Sequence, residues 1–439
     1  MPNKFDMSDE IDKPETDSTG ATPSSRHWTR QDYALTSIAV MIKMGDGVEL
    51  YLPGVITQKV SCELGVSALQ EGFLAIVLFV CYAVAVMISL PILRRFGEKF
   101  TLLLSLYLSI VFAILCAVVP NYYTLLLSRA LTGLCAGLNG CTIGIYIAKY
   151  VSSKDILNQA CFLSEGYSVP AGGAWVSLLG WLLLDVLGWR IFVLLTSIPL
   201  FLPPIFVLHF CISETQTEKS NDSDTTGDDK SSETDELINN KPMNVPNLGE
   251  RIVKSSLFFF CSIFIGFGSI ILLPWLIRSY KVQEDGEAGD CKGVVQGNDL
   301  LILAAVTGAA NIIGRPIGYF LWKRIKFLIL QLAVTSTMAV CYAIILTVDS
   351  LIAAEILLAI AKLCYSIQAV EIAILHYDYD YFGMSGLEIG CGVSVAAGMF
   401  GSVVGTTFAA FLHPEIAVLA TLVVACIEVV VICFMKERF

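Results

Sequence analysis

Lys43, Asp46 and Glu49 stand three positions apart in MIKMGDGVELYLPG, residues 41–54, inside a stretch otherwise apolar enough to cross a membrane, about residues 34–55. An ionised side chain at a helix centre costs roughly 2.5–3.5 kcal/mol on insertion scales, so these three are not expected to face lipid. A helix turns by about 100° per residue, so a three-residue step drifts by only about 60° and the trio shares one broad face. On an interior face, burial disfavours the charged carboxylate while a nearby cation favours it. Such a group can take up and release a proton or hold a cationic solute. A second reading is structural: Lys43 neutralises Asp46 on the same helix and the set only positions the span. Glu165, in the fifth apolar stretch, joins Lys43, Asp46 and Glu49 as a candidate for solute or proton binding. Arg129, in the fourth, is a gating or structural charge that needs an acid, Glu165 or Asp46, because a buried charge must be paired whether or not it functions. Glu355 and Lys362, seven residues apart, share a helix face and suggest a structural tie. Trp175, Trp181, Tyr82, Tyr342 and Tyr365 are read as packing or interfacial aromatics before solute contacts.

These charges need elements to carry them. The chain has 439 residues, 55% hydrophobic and only 15% charged, and a mean hydropathy of +0.71, a composition that excludes an ordinary soluble domain. A hydrocarbon core about 30 Å thick needs about 20 apolar residues per helix. Twelve stretches meet that length, from 34–55 to 414–435. Backbone groups in lipid must pair within their own segment, and the runs are far too long for barrel strands, so the expected fold is an all-α bundle of twelve transmembrane helices.

The formal charge of −11 is concentrated outside the spans. Residues 1–33 carry seven acids against four bases and residues 213–250 ten against three. The charge therefore describes solvated segments, and gives no ground for a nucleic-acid partner. Composition predicts a disordered N-terminal segment 1–33, a six-helix half 34–212, a disordered acidic linker 213–250, a second six-helix half 251–435 and a short tail 436–439. With the amino terminus inside, 19 of the 28 lysines and arginines lie on the cytoplasmic side and five on the other; this asymmetry places both termini and the linker in the cytoplasm. Of 14 cysteines, only Cys62 and Cys291 fall in predicted exofacial loops, and both are expected as free thiols. No Cys/His set has metal-ligand spacing and no Gly-rich loop precedes Lys-Ser/Thr. No metal, cofactor or enzymatic activity is therefore expected.

Six spans, a cytoplasmic linker and six more spans resemble the major facilitator superfamily, whose halves are related by a repeat. The loop LPILRRFGEKFTLL, residues 90–103, is similar to that family's Gly-x-x-x-Asp-Arg-x-Gly-Arg-Lys signature, with Arg95, Gly97 and Lys99 in place. Arg94 stands where its acid is expected, as does Lys323 in the second half. SRALTGLCAGLNG, residues 128–140, is similar to its Arg-x-x-x-Gly-x-x-x-Gly pattern, in which Gly133 and Gly137 allow close helix packing. VSCELGVSALQEGFL, FLSEGYSVPAGGAW and LGWRIFVLLTSIPLFL resemble the branch that holds synaptic vesicle glycoprotein two, its relatives and, more distantly, organic ion transporters. In that branch a span-one acid pair corresponds to Asp46 and Glu49. The resemblance implies the major facilitator fold with two pseudo-symmetric halves. It also implies a monomeric transporter in the plasma membrane or an intracellular vesicle membrane, moving a small, charged organic solute by alternating access, with protons or another ion as the coupling species. The alternative is a non-transporting membrane protein, a sensor or interaction scaffold, that keeps the fold; Arg94 and Lys323 favour it.

Overall fold

A computed structural model describes residues 28–151, 153–211, 247–285, 304–348, 350–375 and 384–435. The acidic linker, most of the N-terminal segment, the connection that contains Cys291 and the C-terminal tail lie outside the described residues. The described chain is helical throughout. In order, the helices are α1 Arg30–Leu64, α2 Ala68–Phe96, α3 Glu98–Val118, α4 Tyr122–Tyr150, α5 Lys154–Cys161, α6 Val169–Phe206, α7 Leu248–Asp285, α8 Ala310–Trp322, α9 Phe327–Ile345, α10 Leu351–Leu375, α11 Met384–Phe411 and α12 Pro414–Phe434. The wider turns of a π-helix join α5 to α6 over Phe162–Ser168. Among the described residues nine helical stretches are long and apolar enough to cross a membrane, one of them covering Ile156–His209. That stretch is two helices, and so two of the predicted spans, that meet at a kink at Gly188, where the backbone turns to φ 72°, a conformation open to glycine. Helix α1 is not among the nine, because Lys43, Asp46 and Glu49 interrupt its apolar stretch.

Local chemistry sets the boundaries. Helix α1 starts earlier than hydropathy suggests, at Arg30, because Thr29 and Asp32 form a capping box: the Asp32 amide donates to Thr29 Oγ1 (3.1 Å) and the Thr29 amide to Asp32 Oδ2 (2.9 Å). Gly97, the glycine of the loop signature, has φ 81° and forms the whole turn from α2 to α3. Asn121 and Ser153 cap α4 and α5 with side-chain acceptors.

Packing follows small residues. Helix α4 lies on α2 so closely that a Cβ at Gly137 would stand 2.7 Å from the Ala85 Cβ. A Cβ at Gly172 of α6 would be 2.8 Å from the Val48 nitrogen of α1, and one at Gly47 would strike the Val169 backbone. This close approach brings the π-helical turn beside α1. The two sets of helices meet through α2 with α11 and through α6 with the segment Ala304–Ala309. Along the α2–α11 seam Phe73 stands against Phe411 (5.4 Å between ring centres), and a Cβ at Gly392 would be 3.8 Å from Leu90 Cδ1. Large apolar side chains such as Met87, Val186 and Ile352 are exposed, as expected where a helix surface faces hydrocarbon rather than water. Trp175 and Trp181 share that partly exposed periphery, whereas Tyr82, Tyr342 and Tyr365 are buried.

Cys62, exposed near the end of α1, is disulfide-bonded. This corrects the expectation of a free thiol there. An exposed thiol in an oxidising compartment closes readily with a partner.

Candidate functional site

Lys43, Asp46 and Glu49 are all buried, at 3%, 2% and 2% exposure, so the shared face of α1 points into protein. Their partners come from other elements. Lys43 Nζ pairs with Glu165 and donates to the Gly140 carbonyl of α4 (3.1 Å). Glu165 sits in the π-helical turn, whose extra residue per turn shifts side-chain direction relative to an α-helix. Arg129 Nη1 donates to Glu49 Oε2 (2.8 Å), both side chains being 2% exposed, and its Nη2 donates to Cys116 Sγ of α3 (3.2 Å). The intrahelical Lys43–Asp46 neutralisation is therefore replaced by two cross-helix ion pairs, and the acid for Arg129 is Glu49. A lysine stem spans the narrow α1–π-turn gap that Gly47 and Gly172 create, whereas reaching Asp46 would turn its ammonium back along its own helix.

Asp46 is the odd member. Its Oδ1 accepts from Asn139 Nδ2 of α4 (3.3 Å), and its Oδ2 is buried with no hydrogen-bond partner among the described residues. It lies within the field of Lys43, Glu165 and Glu49 but makes no ion-pair contact. Asn139 is itself held by Ser105 and Ser109 of α3, Ser105 Oγ donating to its Oδ1 at 2.5 Å. The result is two neutralised pairs flanking one carboxylate whose only direct partner among the described residues is a neutral amide. Arg95 and Lys99 stand apart from this group at the α2–α3 turn. Arg95 is exposed over the Phe96 ring (5.5 Å), and Lys99 is half-buried. Gly133 and Gly137 lie against α2 and place α4.

The second set of helices holds its own buried polar residues. Glu428 of α12 accepts from Ser262 of α7 and from Gln368 Nε2 of α10 (2.7 Å). Lys362 of α10 is buried and donates to the Gly266 carbonyl of α7 (2.5 Å), not to Glu355. Sequence reasoning passed over Asn139, Arg315, Gln368 and Glu428. An internal repeat was the available signal: GDGVELYLP, residues 45–53, recurs as GFGSIILLP, residues 266–274, and GLCAGLNG, residues 133–140, as KLCYSIQA, residues 362–369. Aligned this way, Asn139 and Gln368 occupy matching positions, and each reaches a buried carboxylate.

A helical bundle with apolar periphery and sequestered charge is an integral membrane protein. The profile of the Major Facilitator Superfamily matches residues 36–375, and the chain belongs to that family. Its fold is similar to the crystal structure of a D-xylose-proton symporter, with a TM-score of 0.67 at 14% identity, covering 92% of this chain and 97% of that one. In sequence it is similar to the putative transporter svop-1 of Caenorhabditis elegans, 24% identical over 166 residues, or 38% of this chain and 31% of that protein. It is also similar to synaptic vesicle glycoprotein 2A of Rattus norvegicus, 22% identical over 183 residues, or 39% of this chain and 24% of that protein. These matches span less than a third of either relative's length.

Proposed function

We propose that this protein is a secondary or facilitative transporter that moves a small, charged organic solute by alternating access, with Asp46 as the group that takes up and releases a coupling proton. The observation that carries this reading is the charge arrangement around α1: Lys43 and Arg129 are each paired, and Asp46 is left without an ion-pair contact. A purely structural set of buried charges would be expected to close on itself, since each unpaired ion is costly. An intramembrane carboxylate on a helix next to a seam between two sets of helices is suited to a proton relay. Family membership supports transport as the activity, and the halves, the linker and the monomeric state are part of the same proposal. Arg94 and Lys323 favour a second reading, a non-transporting membrane scaffold, because both loops lack the acid expected there.

An untargeted comparison of metabolites accumulated by cells with and without the protein separates the two. A solute class that accumulates or is depleted only with the protein supports transport, and identical profiles support the scaffold. The orientation has its own test. Epitope tags inserted at residues 20 and 228 are expected to bind antibody only after permeabilisation of cells expressing the protein at their surface; labelling of either tag on intact cells reverses the assigned topology.

A further inference from the structure

Two cations in the second set of helices have no counter-ion among the described residues. Arg315 of α8 is 6% exposed, and its Nε has no hydrogen-bond partner. Lys362 of α10 is 2% exposed, and its ammonium donates only to the Gly266 carbonyl while standing 5.3 Å from the centre of the Tyr365 ring. Gly314, the neighbour of Arg315, lies so close to α10 that a Cβ there would stand 2.6 Å from the Ser366 Cβ, about one turn from Lys362, so both side chains belong to the place where α8 packs on α10. The one buried carboxylate described in α7–α12, Glu428, accepts from Ser262 and Gln368 at Oε1, its Oε2 has no hydrogen-bond partner among the described residues, and it forms no ion pair with either cation there.

What surrounds the cations is polar and aromatic. Tyr365 lies on α10 beside Lys362, and Tyr51 reaches the same place through Asn311 of α8, four residues before Arg315. Tyr51 belongs to α1, so the cluster is shared by the two sets of helices. Asn311 of α8 links the parts, accepting from Ser366 of α10 and hydrogen-bonding to Tyr51. Both tyrosine rings lie against glycines, Tyr51 on Gly173 and Tyr365 on Gly266, which fixes where their hydroxyls stand. A guanidinium edge, an ammonium and two phenol hydroxyls are all donors that suit carboxylate oxygens.

We propose that Arg315 and Lys362, with the Tyr51 and Tyr365 hydroxyls, form the binding site for the carboxylate of a small organic anion. The proposal deepens the transporter reading by giving the sign of the solute. Neither cation has a counter-ion among the described residues, and a carboxylate would bring the negative charge that both lack. Because Tyr51 comes from α1 and the cations from α8 and α10, the bound anion ties the two sets of helices together and leaves when they part.

Binding is tested apart from transport, on the full-length protein in detergent, by thermal unfolding at constant ionic strength with sodium benzoate, disodium succinate or tetraethylammonium chloride. At least one of the two carboxylates is expected to raise the melting temperature by about 3 °C or more at saturation, and tetraethylammonium to leave it unchanged. Lys362→Gln and Arg315→Gln are each expected to melt no lower than the parent without ligand, because each removes a buried charge that has no counter-ion among the described residues, and to lose the carboxylate response. Stabilisation by tetraethylammonium alone overturns the proposal. So does a carboxylate response that persists in both variants, or the absence of any response to either carboxylate. A carboxylate response without uptake of any solute keeps the site and removes the transporter reading; uptake of a cationic solute with no carboxylate response does the reverse.

Discussion

Arg129→Met is expected to destabilise the protein by about 3–5 kcal/mol, the cost of leaving a buried charge without its partner. Glu49 is 2% exposed, its Oε2 is bound by Arg129 at 2.8 Å, and its Oε1 already has no hydrogen-bond partner. Without the guanidinium, the carboxylate keeps no direct donor among the described contacts, and Cys116 loses its hydrogen bond as well. Folded protein recovered from the membrane should fall sharply. The double variant Arg129→Met with Glu49→Leu removes both charges and fills the space with apolar atoms. Such replacements of buried pairs are often neutral or stabilising. It is therefore expected to recover most of the folded yield and the melting temperature in detergent. A double variant as unstable as Arg129→Met alone shows that the two residues act independently.

Much of this arrangement was legible in the sequence. Hydropathy marked an all-helical membrane protein, because a bilayer imposes one length on every helix, and nine helical stretches among the described residues meet that length and apolarity. The charges at Lys43, Asp46 and Glu49 stood out because lipid makes them expensive, and the same expense predicted that they face inward. The choice of partner was not legible. Whether Lys43 meets Asp46 or Glu165 depends on how closely α1 and α6 approach, and that distance is set by Gly47 and Gly172 striking the opposing backbone. The π-helical turn that carries Glu165 leaves no trace in apolar periodicity. Glu428 was overlooked because it is a single acid in α12, a helix whose length and hydropathy are otherwise unremarkable for a span. Its partners Ser262 and Gln368 come from two other helices far away in the chain. Lys362 stood out in the sequence and Arg315 did not, and that both belong to one place appears only when α8 and α10 are packed together at Gly314.

Asp46→Asn is expected to abolish most solute uptake while leaving protein abundance nearly unchanged. The substitution keeps the shape and keeps a carbonyl oxygen for Asn139 Nδ2, whose contact with Asp46 is 3.3 Å. It breaks no ion pair, because Lys43 is bound to Glu165 and Arg129 to Glu49. Stability therefore has little reason to fall, whereas the capacity to gain and lose a proton at this position is gone. Lys43→Gln should behave differently, since it strips Glu165 of its ion pair and is expected to lower folded yield as well as uptake.

The most direct measurement is uptake of the identified solute, normalised to surface protein, for the parent and for Asp46→Asn across external pH 5.5 to 8. The parent is expected to vary with pH as Asp46 changes protonation, and the variant to give a low, flat profile at undiminished abundance. An Asp46→Asn protein with parental uptake and the parental pH profile would contradict the assignment of proton exchange to Asp46.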